Sequence, residues 1–373
     1  MRPRANFILL ASFSILLVVP TLAGWLGIEP MGKLDEKRPL AKKPEHLLGS
    51  PKGKVTSASL TAAAQEWDKY YADNFGLRKT LVGSYRFISV HALGTSLHPA
   101  VVLGKIHGGS RWYFFNGSAV NDGIGFESQL GKIPYSAAEL ALTAENVRRT
   151  AELLKQNGIK FLLMIVPDKQ TVYPELLPDR FRPAPNVQSR LAQFWSATEA
   201  SDEAGFIDLR GVLSRSKGEG PLYLATDTHW TTEGAFVAYR AAIAALQLQD
   251  HGPAALKRSD TKWTFAGGAK GTGPGDCAML MGLPMFGGES HWDITFPPKA
   301  SLGRPRGRKL LVLGDSFFTV LHALSDYFEF EFDKVVHLNG ARSARSIHIT
   351  QELLDTYKPD VVMLEAVERY WTQ

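Results

Sequence analysis

The 373-residue chain has length for roughly two domains of about 150 residues, or for one α/β domain with insertions. Hydrophobic residues make up 45%, enough for a sizeable core, and 42 Lys+Arg against 37 Asp+Glu leave a formal charge of +5, a mild basic bias that suits an anionic polymer or a membrane surface. No zinc-finger or RNP signature accompanies that bias, so nucleic acid is not an expected partner, and the single cysteine, Cys277, excludes an intramolecular disulfide while leaving the compartment open.

Phe7 to Ile28 is a 22-residue stretch without a charge, preceded by Arg2 and Arg4, and long enough to span a bilayer. A cleavable signal fits the same stretch, with an apolar core at Phe7–Val19, Pro20, and small residues at Ala23-Gly24. Lys33, Lys37, Arg38, Lys42 and Lys43 outnumber Arg2 and Arg4, and a literal charge count would keep the following chain in the cytoplasm. Large domains behind a signal-like segment translocate largely regardless of flanking charge, and Glu29, Asp35 and Glu36 dilute the cluster, so the folded part is expected outside the cytoplasm. The expected organisation is a cytoplasmic n-region (1–6), a transmembrane anchor or signal (7–28), a linker (29–57) rich in Pro and Lys, and a folded domain (58–373) with a Gly-rich insertion at 257–300.

From Ser57 to His91 an amphipathic helical pattern runs through Trp67, Tyr70, Tyr71, Phe75, Leu81, Tyr85 and Ile88, aromatics that read as core. Ala100–Leu103 and Trp112–Phe115, joined by a loop over Gly104–Gly109, read as a β-hairpin, with His107 solvated. A helix around Ala137–Gln156 precedes the fully apolar strand Lys160–Val166, and a second helix at about Asn186–Ala204 leads to Phe206–Arg210. Continuous apolar strands alternating with helices indicate a sheet covered on both faces, hence an α/β layered fold with a parallel sheet.

Tyr223-Leu-Ala opens onto Thr226-Asp-Thr-His-Trp230, and a helix follows to about Leu246 with Thr231 or Thr232 as its N-cap. Residues two apart in an extended loop project to one side, so Asp227 can bond one imidazole nitrogen of His229 and leave the other facing outward. Three readings compete here: two ligands of a metal, for which no third and fourth ligand stand at suitable spacing; a structural Asp–His pair; or a general base with its orienting carboxylate. The Gly-rich stretch Ala266–Asp276 lacks dinucleotide or Walker spacing and reads as a flexible lid or acceptor-binding rim, with Cys277 a buried thiol.

Lys309–Leu313 is a buried strand that runs into Gly314-Asp-Ser316 and a helix from Phe317 to about Tyr327. The glycine is expected to let the backbone bend sharply, and Asp315 or Ser316 to cap the helix. Taken alone, Ser316 reads as a cap; taken with Asp227-x-His229, it reads as a nucleophile. Two further strands, Lys334–Leu338 and Asp360–Glu365, carry Asn339–Arg345 and Glu365–Trp371 at their ends, where ligands of open parallel sheets collect.

Strand–Gly-Asp-Ser with Asp-x-His resembles the SGNH (GDSL-like) hydrolase superfamily. Val166–Tyr173, Asp227–Trp230, Gly275-Asp276, Gly314–Phe317 and Pro359–Arg369 are similar to its alginate O-acetyltransferase branch, in which Asp-x-His comes before Gly-Asp-Ser, a permuted order relative to ordinary GDSL esterases. The resemblance implies an SGNH-like fold, with Ser316 as nucleophile, His229 as base and Asp227 as its orienter, needing neither cofactor nor metal. It offers Arg342, Arg345, Arg369, Trp230, Lys169 and Tyr173 as substrate or oxyanion candidates, because the superfamily's Gly and Asn oxyanion blocks have no clean match at Asn339–Ser343 or Glu365–Arg369. It further implies O-acetylation of a secreted or cell-surface polysaccharide at the periplasmic side of the inner membrane, with a membrane-bound O-acyltransferase as acetyl donor. A polysaccharide acetylesterase and a non-catalytic polysaccharide-binding assembly subunit are the alternatives.

Overall fold

The computed structural model describes residues 2–28, 39–45, 55–198, 205–250, 254–266, 273–283, 289–302, 307–320, 323–339, 343, 347 and 349–373. The chain forms two compact units, Met1–Leu97 with Met281–Phe286, and His98–Leu280 with Gly287–Gln373.

In the smaller unit the helix Arg2–Trp25 contains the 18 uncharged residues Phe7–Gly24, long and apolar enough to cross a membrane. The pattern expected to run from Ser57 to His91 is divided into helices Ser57–Asn74 and Arg78–Phe87, followed by a π-turn at Ile88–Ala92. The division falls where Leu77 takes a left-handed φ of 62° and Gly76 lies against the first helix, so close that a Cβ on Gly76 would meet the Gly24 nitrogen at 2.1 Å. Thr56 and Ser59 cap the second helix reciprocally, each hydroxyl accepting the other residue's N–H at 3.1 and 2.9 Å.

The larger unit opens with a hairpin of β1 (Val101–His107) and β2 (Ser110–Phe115). Its strands reach further than Leu103 and Trp112, pairing His107 with Ser110 around Gly108-Gly109, both at positive φ, so the expected six-residue loop shrinks to a two-residue turn. Five strands then build one parallel sheet: β3 (Lys160–Val166), β4 (Phe206–Asp208), β7 (Lys309–Gly314), β8 (Lys334–Asn339) and β9 (Val361–Val367), in the order β4-β3-β9-β7-β8. The remaining pair, β5 (Lys262–Ala266) and β6 (His291–Thr295), is an antiparallel ribbon inside the segment expected to be an insertion.

Alternation along the central strands divides the core into two. Leu162, Met164 and Val166 of β3, Leu310 and Val312 of β7, and Met363 and Val367 of β9 pack with the helix Thr232–Asp250 and the helix Ala323–Glu331. Phe161, Leu163, Ile165, Leu311, Leu313, Val362, Leu364 and Ala366 face the opposite way, against the helices Ala137–Gln156 and Arg190–Thr198. Burial on both faces is what makes these strands apolar at nearly every buried position, Glu365 of β9 apart, and it gives the layered α/β fold read from the sequence.

Three local features depart from a plain alternation of strands and helices. Phe206–Arg210 is a short strand that turns into a helix at Leu209–Ser216, because Asp208 accepts the Arg210 N–H at 3.0 Å as an N-cap. Tyr223-Leu-Ala is not a sheet strand; Tyr223 pairs only with Trp230 as an isolated bridge that closes a tight loop. The helix after Ser316 is interrupted: a short turn, Ser316–Thr319, ends at Val320 in an extended conformation, and the helix Ala323–Glu331 starts afresh.

Candidate active site

The C-terminal ends of β3, β7 and β9 lie side by side, and the sequence after each carries charged side chains to one rim. After β7, Ser316 begins the turn Ser316–Thr319 and is exposed, while its neighbours Asp315 and Phe317 are buried. Asp315 Oδ1 accepts the Phe317 N–H at 2.9 Å and Oδ2 accepts the Val367 N–H at 2.8 Å, so one carboxylate caps the serine turn and ties it to the end of β9. Gly314 keeps an ordinary φ; it is glycine for space, since a Cβ there would come within 2.7 Å of Glu365 Oε2. The sharp bend expected of it is therefore not its role. Glu365 is fully buried beneath the turn and accepts the Asp315 N–H at 3.0 Å, and burial, then the charge of Asp315, pushes its carboxyl well above the ordinary range.

The histidine arrives on the loop between Tyr223 and Trp230, closed by Leu224 N–H to the His229 carbonyl (3.1 Å) and Thr231 N–H to the Leu222 carbonyl (3.0 Å). Thr231 Oγ1 accepts the Gly234 N–H at 3.2 Å and so caps the helix behind it. His229 Nε2 lies 2.8 Å from Ser316 Oγ, and Nδ1 lies 2.6 Å from Asp227 Oδ1. Oδ1 also accepts the His229 N–H at 2.9 Å, and Oδ2 accepts the Asp276 N–H at 2.9 Å. Burial alone would raise the Asp227 carboxyl, but the bonds and charge of His229 and the Asp276 N–H outweigh it and pull the group down to about 2. With Asp227 ionised, Nδ1 holds the proton and donates it to the carboxylate, which leaves Nε2 to accept the Ser316 hydroxyl. The arrangement can activate an oxygen nucleophile.

The other candidates are placed differently. Trp230 is fully buried; its Nε1 donates to the Phe317 carbonyl at 3.0 Å and its ring meets Phe317 edge-on, so it pins the histidine loop to the serine turn and presents nothing to a substrate. Lys169 is buried too, with Nζ donating to the carbonyls of Leu224 (2.9 Å), Ala225 (3.1 Å) and Asp227 (2.6 Å). Burial pulls its ammonium below the ordinary range, opposed by Glu289, Asp276 and Asp227. Arg369 forms a buried ion pair with Asp168, its guanidinium 5.6 Å from the Phe317 ring. Tyr173 lies in a groove of about 560 Å³ with Trp112, Glu175 and Lys217, whose lining includes none of Ser316, His229 and Asp227. Its hydroxyl accepts the Leu222 N–H at 3.0 Å. Arg342 and Arg345 lie outside the described residues. Cys277 is buried, and burial, then Asp276, pushes its thiol well up, which leaves it a poor nucleophile.

Sequence spacing offered Asp227 and His229 no further ligand, yet the fold brings in Asp276, and one ligand atom from each of the three lies within 4.8 Å of the others. Their oxygens are already used. Asp276 Oδ1 accepts the N–H groups of Thr228 (2.8 Å) and Cys277 (2.6 Å), and Oδ2 accepts the Thr228 hydroxyl at 2.5 Å. Carboxylates whose two oxygens both accept from protein donors fit a loop anchor better than a cation site.

Residues 108–293 match the family model described as SGNH hydrolase-like domain, acetyltransferase AlgX. The chain is 31% identical over 195 residues to a probable alginate O-acetylase AlgJ of Pseudomonas fluorescens, covering 50% of this chain and 44% of that protein. To the protein of the same description in Pseudomonas putida it is 34% identical over 152 residues, covering 40% and 35%. The chain thus spans less than half the length of these curated relatives. In fold it is similar to the O-acetyltransferase domain of Pseudomonas putida AlgJ, with a TM-score of 0.51 at 24% identity over 74% of this chain and 93% of that one. Residues 108–293, just under half of the chain, are thus similar to the AlgX-type SGNH hydrolase-like family.

Proposed function

We propose that the chain is an O-acetyltransferase that moves an acetyl group through Ser316 onto a hydroxyl of a secreted or cell-surface polysaccharide, with a membrane-bound acyltransferase as acetyl donor and the helix Arg2–Trp25 as inner-membrane anchor or signal. The observation that carries this reading is the unbroken relay from the ionised Asp227 through His229 to an exposed serine. The names of the relatives supply the substrate class.

In the first half-reaction His229 Nε2 takes the Ser316 proton as Oγ attacks the acetyl carbonyl. The Ser316 N–H stabilises the oxyanion, and His229 returns the proton to the departing donor oxygen as the acyl-serine forms. In the second, a sugar hydroxyl gives its proton to Nε2 and attacks the acyl carbon; Ser316 Oγ leaves and is reprotonated by His229. Asp227 stays ionised throughout, stabilising the imidazolium.

The test supplies the full-length chain in detergent with an activated acetyl ester, with and without an oligosaccharide acceptor. An acetylated sugar whose formation is lost in Ser316→Ala is the expected result. Release of free acetate with no acetylated acceptor would replace the transferase reading with an esterase, and equal turnover by Ser316→Ala would remove both.

A further inference from the structure

Around the loop that carries Asp227 and His229, three charged side chains from distant parts of the chain take up its backbone polar groups. Lys169, just after β3, donates to the carbonyls of Leu224, Ala225 and Asp227. Glu289, just before β6, accepts the Ala225 N–H (3.2 Å), the Thr226 N–H and the Thr226 hydroxyl (2.6 Å). Asp276 accepts the Thr228 N–H and hydroxyl, while its own N–H goes to Asp227 Oδ2 and the Ala278 N–H goes to the Thr226 carbonyl. Contact is close enough that Gly275 has no room for a side chain: a Cβ would lie 2.4 Å from the Thr226 carbonyl carbon and 2.5 Å from the Asp227 nitrogen.

We propose that Lys169, Glu289 and Asp276 are positioning residues, a charged clamp that holds the Asp227–His229 loop in register with Ser316, and that the segment between β5 and β6 exists in part to deliver two of its three arms. This rests on the Ser316–His229–Asp227 reading. A loop free to bond to water would sample several arrangements, whereas charge-assisted bonds to both its N–H and its C=O groups leave one. The buried ammonium is tolerated because three loop carbonyls accept its protons and the charges of Glu289, Asp276 and Asp227 favour it, and the half-buried carboxylates are met by the loop N–H groups. The clamp contacts no reacting atom. Its effect is on the position and tautomer of His229, where a displacement on the scale of 1 Å costs on the order of a hundredfold in rate.

The experiment uses full-length chain in detergent and compares wild type with Glu289→Ala, Glu289→Gln and Asp276→Asn. It reads kcat and KM for an activated acetyl ester, the melting temperature, and the low-field proton resonance of the His229 Nδ1–H bond to Asp227. Glu289→Ala is expected to lower kcat by about tenfold or more with KM nearly unchanged, and to broaden or shift the low-field resonance. Glu289→Gln, which keeps one accepting oxygen, recovers part of both. Folded Glu289→Ala and Asp276→Asn proteins that keep kcat within about twofold and an unaltered low-field resonance would overturn the clamp. If Glu289→Ala does not fold, the near-isosteric Asp276→Asn decides by the same two readouts. If Ser316→Ala turns over as fast as wild type, the serine reading fails, and the resonance in Glu289→Ala still decides whether the clamp sets the His229–Asp227 bond.

Discussion

Asp227 does two things at once, accepting from His229 Nδ1 on one oxygen and from the Asp276 backbone on the other. Asp227→Asn keeps the shape but removes the charge that fixes the tautomer, and kcat is expected to fall by roughly 10³–10⁴. The same group affects stability. Its folded value of about 2 lies below the ordinary 3.8, so the unfolded chain binds the proton more readily. The stabilisation, on the order of 2 kcal/mol, is complete above about pH 4 and is lost as pH falls through about 2. Denaturant titrations of wild type and Asp227→Asn should therefore converge as pH falls across that window; curves that stay parallel would contradict the assignment. The residues of this relay were legible in the sequence because Asp-x-His and Gly-Asp-Ser are local patterns. Glu289 and Glu365 were not, since each acts on backbone groups about fifty or more positions away and leaves no local signature.

Between the serine turn and the histidine loop, the bridge is Trp230, whose indole N–H reaches the Phe317 carbonyl. The resemblance offers Trp230 as a substrate or oxyanion candidate, but only burial separates a substrate contact from a pin, and this ring is buried completely. Trp230→Phe keeps most of the ring packing and deletes the bond. It is expected to lower kcat by about tenfold while KM changes little, because the two elements lose their common reference point. It should cost about 1 kcal/mol in denaturant titrations. A rise in KM at constant kcat would instead identify Trp230 as a substrate contact. At this scale the central strands were readable because two-sided burial makes them largely apolar, as in residues 161–166 and 361–364. The helix expected from Phe317 to about Tyr327 is broken at Val320; its apolar run continues past that point, and helical periodicity does not register a break in backbone conformation.

Asp276 and Glu289 belong to the larger unit, yet the chain between them contributes Met281–Phe286 to the smaller one. Within that smaller unit Arg86 donates to the Gly282 carbonyl at 3.2 Å, Ser96 reaches the Met281 sulfur at 3.8 Å, and Met281 and Leu283 are buried. The helices at 57–87 thus have a structural task beyond joining an apolar segment to an α/β domain. Two truncations separate these tasks. A fragment Val55–Gln373 lacks the exposed apolar helix and is expected to be soluble without detergent, with kcat for an activated ester within about twofold of the full chain. A fragment His98–Gln373 keeps Ser316, His229 and Asp227 but strips the partners of residues 281–283. Exposing two large apolar side chains costs on the order of 3–5 kcal/mol, and the strand of chain joining the two clamp carboxylates loosens. Its melting temperature should drop well below that of Val55–Gln373 and its kcat should fall with it, whereas equal stability and turnover in the two fragments would show that residues 57–97 are dispensable to the site.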